Sequence, residues 1–66
     1  MPKIWDDIRK ALLERGWTDA EAEVIVDCLG RIEVDAEAVW YNIMAGIFDP
    51  GTPKGRRLVL LVYNQG

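Results

Sequence analysis

Apolar positions recur every three to four residues in three stretches of the chain, the spacing of one helix face. In the first stretch Ile4, Trp5, Ile8, Ala11 and Leu12 form a stripe that predicts a helix over residues 3–15. Asp6 and Asp7 in its first turn and Arg15 in its last suit the helix dipole. Gly16 then supplies a left-handed stop. In the second stretch Ala22, Ile25, Cys28 and Leu29 share a face that Val24 and Val26 widen, which predicts a central helix over 19–30. Thr18-Asp19-Ala20-Glu21 opens it as a capping box, T-x-x-E, and Gly30 is expected to end it. The third stretch follows Asp35, a good N-cap, with Val34 and Val39 spaced as a hydrophobic staple. Ala36, Trp40, Ile43, Met44 and Ile47 share its face and predict a helix over 36–47.

The pattern changes after Phe48. Asp49-Pro50-Gly51-Thr52-Pro53-Lys54-Gly55 has two prolines and two glycines in seven residues, which predicts a turn over 49–55. The run Leu58-Val59-Leu60-Leu61-Val62 that follows is continuous and apolar. Counted from Arg57 and bounded by Gly55 and Gly66, it is short for a helix and predicts a strand over 57–63. A strand needs partners for its N–H and C=O groups. Three remain open: a hairpin with Gly46-Ile47-Phe48-Asp49, pairing with Ile32-Glu33-Val34, or pairing with another chain. The expected fold class is thus mainly α with a small β part (small α+β). It is a three-helix body followed by a Pro/Gly turn and a C-terminal β-strand or hairpin, in a single domain over 1–66.

The segment Gly46-Ile47-Phe48-Asp49-Pro50-Gly51-Thr52-Pro53-Lys54-Gly55-Arg56-Arg57-Leu58-Val59-Leu60-Leu61-Val62 resembles the wing of a winged helix-turn-helix domain. It covers 17 of the 66 residues. The resemblance implies a basic turn between two strands behind a recognition helix, with Lys54, Arg56 and Arg57 touching DNA. The helix in the recognition position departs from that pattern. It opens with Asp35 and Glu37 and has no Lys or Arg, where a DNA reader places cations.

Composition narrows the chemistry. There is no His and no Ser among the 66 residues, so the usual nucleophile–base pairs are missing. A pair of carboxylates needs an enclosing pocket of ~300 Å³ or more, which a chain this short hardly builds. We therefore expect no enzymatic activity, no cofactor and no small-molecule substrate. Cys28 is the only cysteine, which excludes an internal disulfide and, without His, a zinc site. A chain of this size buries only ~60% of its unfolded surface, so tight packing or a partner chain is expected to supply the remaining stability. The longest apolar run falls far short of the ~20 residues of a membrane span, and Met1 to Asp7 turns acidic at once, unlike a signal peptide. The expected location is the cytoplasm.

Charge is distributed unevenly. The net charge is −3, but residues 1–49 hold five basic and eleven acidic side chains while residues 50–66 hold Lys54, Arg56, Arg57 and no acid. Asp19, Glu23 and Asp27 stand at i, i+4 and i+8, a spacing that costs roughly 0.2–0.5 kcal/mol per like pair. Arg31 relieves only Asp27. With Glu33 and Glu37 these residues form a candidate acidic face that docks on a basic surface of a larger protein. Leu13, Trp17, Tyr41, Phe48, Leu58, Leu60 and Tyr63 are the candidate contacts for a partner or a second copy, though Trp17, next to an N-cap, equally suits a staple that packs back on the helix corner, and a homodimer through the strand or third helix is expected. The functional expectation is a small acidic inhibitor or adaptor. In size and charge alone it is analogous to the short inhibitors of phages and mobile elements, anti-CRISPR proteins among them. The alternative is DNA binding through Lys54, Arg56 and Arg57, against the repulsion of the acidic body.

Overall fold

A computed structural model describes residues 3–32 and 34–65. They form four helices: α1 (Lys3–Glu14), α2 (Asp19–Arg31), α3 (Ala36–Met44) and α4 (Pro53–Gln65). α1 packs against both α2 and α3, and α4 packs against α2. The Cα radius of gyration is 10.5 Å, close to the ~11 Å of a compact chain of this length, so α4 lies against the body.

The first link forms as its residues dictate. Gly16 has φ +107°. The N–H groups of Gly16 and Trp17 donate to the carbonyls of Leu13 (3.2 Å) and Leu12 (3.1 Å), which makes a Schellman stop. The capping box of α2 is complete: the Thr18 hydroxyl accepts from the Glu21 N–H at 3.2 Å and the Glu21 carboxylate from the Thr18 N–H at 3.0 Å. Asp35 caps α3 by accepting from the Glu37 N–H at 3.1 Å. The core holds Trp5, Ile8, Ala11 and Leu12 from α1, Trp17 from the link, Ala22, Ile25 and Val26 from α2, and Ile43 from α3. α1 supplies more of it than α2, contrary to the expectation that the second helix is central.

Three boundaries differ from the sequence reading. α2 runs through Gly30 to Arg31; Gly30 does not adopt positive φ, which only Gly16 and Gly46 do among the described residues. α3 ends at Met44 rather than 47. Gly46, at φ +81°, forms a second Schellman stop, with Gly46 and Ile47 N–H donating to Ile43 (3.0 Å) and Asn42 (3.3 Å) carbonyls. Arg15 lies one residue past α1, and its side chain serves a tertiary ion pair instead of the dipole.

The larger correction is at the C-terminus. No strand is present among the described residues, and the predicted strand 57–63 lies inside helix α4. The hairpin, the pairing with 32–34 and the wing of a winged helix go with it. The physical reason lies upstream of the apolar run. Thr52 acts as an N-cap: its carbonyl accepts from the Arg56 N–H at 2.9 Å and its hydroxyl from the Gly55 N–H at 3.0 Å. Pro53 takes the first helical position, where its fixed φ helps and its missing N–H costs nothing. Lys54 and Gly55 therefore belong to the helix. Counted from Pro53 the element has 13 residues, long enough for a helix that packs on a neighbour. Gly55 is buried, and a Cβ on it would collide with the Asp49 carbonyl, so the glycine allows α4 to start tight against the preceding loop.

Candidate functional site

The short link Arg15–Thr18 turns the chain back and lays the start of α1 beside the second half of α2. Between them is an open groove of about 530 Å³, lined by Trp5, Asp6, Arg9, Glu23, Val24, Val26 and Asp27. Trp5, Val24 and Val26 give it an apolar floor; Asp6, Glu23 and Asp27 give it an acidic rim. Cations are present as well: Arg9 lines the groove, and Lys3 and Lys10 stand one turn from Asp6 on α1. Arg9 lies 3.6 Å from Asp19, and Arg31 pairs with Asp27 at 2.8 Å across one helical turn. Both pairs are exposed, which makes them weak and replaceable by another cation. Glu23 forms no ion pair among the described residues.

Of the expected acidic face, Glu23 and Asp27 line the groove and Asp19 reaches it through Arg9. Glu37 is exposed on α3, away from the groove, and Glu33 lies outside the described residues. Sequence reasoning missed Asp6 and the floor residues Trp5, Val24 and Val26. The signal was present: Asp6 and Arg9 flank Trp5 on the edge of the first stripe, and a tight link folds that edge onto the row Glu23–Asp27.

The candidate contact residues divide in two. Trp17 is buried, 3% exposed, and its indole N–H donates to the Phe48 carbonyl at 3.0 Å. It staples the α1–α2 corner to the loop before α4. Leu13, Phe48 and Leu58 are half-buried against the core. Tyr41, Leu60 and Tyr63 are exposed, at 67%, 62% and 71%. Lys54, Arg56 and Arg57 are exposed in the first turns of α4, on a helix and not on a turn between strands.

The loop from Ile47 to Thr52 is tied down by its own hydrogen bonds. Arg15 grips Asp49 with two hydrogen bonds, at 2.8 and 3.1 Å. That hydrogen bonding, then the Asp49 charge, raises the Arg15 pKa above its usual value. The Thr52 hydroxyl lies 2.7 Å from the Asp49 carbonyl and 2.8 Å from that of Ile47, sharing one hydrogen between them. Among the described residues no group of three or more His, Cys, Asp or Glu side chains is placed to hold a metal. None of the helices there is long and apolar enough to cross a membrane. No protein-family model, no curated protein and no solved structure matches the chain.

Proposed function

We propose that this chain is a non-catalytic binding module that takes cationic side chains of a larger protein into the α1–α2 groove, and acts on that protein as an inhibitor or adaptor. One observation carries the reading: a single groove combines three acids, Asp6, Glu23 and Asp27, against one cation, Arg9, with the apolar lining Trp5, Val24 and Val26. Lys and Arg have the matching form, an apolar stem with a charged head. The stem covers the floor, the head meets the rim, and the indole adds a cation–π attraction where its face is reached. An open groove suits a side chain that enters from another surface better than an enclosed small molecule.

The test is calorimetric titration with a ten-residue peptide of alternating Arg and Leu. The expected result is saturable binding that weakens at least tenfold between about 0.05 and 0.5 M salt, because the rim is exposed and screened. Neutralising the rim with Glu23→Gln and Asp27→Gln should abolish it. Binding that ignores salt and survives those substitutions would overturn the reading, as would no heat at millimolar peptide.

A further inference from the structure

Helix α4 carries an unpartnered surface among the described residues. Leu58, Val59 and Val62 turn inward and pack on the core. Arg56, Leu60 and Tyr63, at i, i+4 and i+7, share the face that adjoins Val59, and all three are exposed. Arg57 is exposed beside Leu60, and Lys54, two residues before Arg56, is exposed on the other flank of the helix. The helix carries three cations and no acid. Its face therefore offers what the groove takes: cations together with apolar side chains.

We infer that α4 of one copy docks in the α1–α2 groove of another, so that the chain assembles head to tail. The inference rests on the groove's taking cationic side chains, as proposed above. Charge complementarity selects the occupant. Arg56 and Arg57 meet the three acids of the lining, Asp6, Glu23 and Asp27, which outnumber its one cation, Arg9, while Leu60 and Tyr63 cover Val24 and the exposed edges of Trp5 and Val26. No residue of α4 lines its own groove, so the two patches are separate surfaces of one molecule. A contact between unlike patches is heterologous and closes into a ring or grows into a filament. Two α4 helices paired with each other would instead bring six cations together with no acid between them. The face of α3 around Ala38, Tyr41 and Ala45 has no charged complement. Assembly and target binding then compete for one groove, and the free chain stores its binding site in an occupied form.

Sedimentation velocity on the full chain, from about 10 µM to 1 mM, tests this. At low salt the average mass should rise with concentration past that of a dimer, and at about 0.5 M salt it should fall to the monomer. Arg56→Gln with Arg57→Gln removes the docking face; Glu23→Gln with Asp27→Gln removes the rim. All four side chains are exposed, and circular dichroism checks that both variants remain helical. Each variant alone should stay monomeric. Mixed in equal amounts, they should form a one-to-one pair that does not grow, since one keeps only the groove and the other only α4. A monomer at every concentration in low salt overturns the inference, as does association that survives neutralisation of the groove. The Arg56→Gln, Arg57→Gln variant also separates the two proposals, because its groove is intact and open. If that variant binds the Arg/Leu peptide and the unmodified chain is monomeric, head-to-tail docking alone is wrong. If it binds no peptide, the groove reading is wrong and the inference falls with it.

Discussion

Gly30 and Gly55 both lie within helices, yet alanine acts on them in opposite directions. A Cβ on Gly30 would meet nothing within 4 Å, and the backbone there is ordinary helix, so Gly30→Ala should stabilise the fold by about 0.5–1 kcal/mol. A chain of this size should then melt several degrees higher, at roughly 4–8 °C per kcal/mol. At Gly55 the new methyl meets the Asp49 backbone, its carbonyl carbon only 2.7 Å away, and a backbone atom cannot rotate aside. Gly55→Ala should lower the melting temperature and loosen the start of α4; an unchanged melt contradicts this packing. Leu12 is fully buried, and Leu12→Ala costs about 2–5 kcal/mol. The whole domain has only ~3–10 kcal/mol to lose, so that variant should melt at least about 8 °C lower by circular dichroism, at roughly 4–8 °C per kcal/mol; an unchanged melt would contradict the burial of Leu12. The Arg15–Asp49 pair has a definite sign with pH. The Arg15 pKa is raised, so its share of stability is full below its unfolded pKa and fades only as pH rises through the higher folded value. A titration from neutral to about pH 10 should leave the Arg15 contribution intact, since arginine ionises well above that range.

At the scale of elements, α4 is the helix with the weakest hold. Among its described side chains and glycine only Gly55 is buried, and Leu58, Val59 and Val62 are half-buried. Amide hydrogen exchange should open α4 first, with α1 protected longest, because opening follows burial; α4 amides as slow as those of α1 would contradict the packing. This same weakness explains what the sequence concealed. The first three helices were legible because each pairs a stripe at helical spacing with a local signal: Gly16, the Thr18–Glu21 box, the Asp35 cap. α4 has a cap as well, Thr52-Pro53, but Pro50, Gly51 and Gly55 surround it and read together as turn. Gly55 is the misleading residue. It is present for close approach to Asp49, a tertiary reason that no local pattern reveals. Gly46 misled in the other direction, since Ile47 continues the apolar spacing past a stop that only the backbone dihedral shows. The candidate site was half legible. The row Glu23–Asp27 follows from spacing on one helix, while Asp6 and Trp5 join it through the packing of two.

At the scale of the whole molecule, the charge asymmetry of the sequence becomes a spatial one. A body with six excess acids carries one helix with three cations and no acid, and Asp6, Glu23 and Asp27 line a groove with Trp5. In the function we propose, the acidic body attracts cationic surfaces over a distance set by the Debye length, about 10 Å at 0.1 M salt, and the apolar lining of the groove holds what makes contact. The most direct measurement is a two-dimensional nitrogen–proton NMR titration of the Arg56→Gln, Arg57→Gln variant with the Arg/Leu peptide. The indole N–H of Trp5 and the backbone amides of Glu23, Val24 and Asp27 should shift together and saturate, while those of Tyr41 and Tyr63 stay in place. Shifts confined to α3 or α4, or no saturable shift at the groove, would contradict the function proposed for this chain.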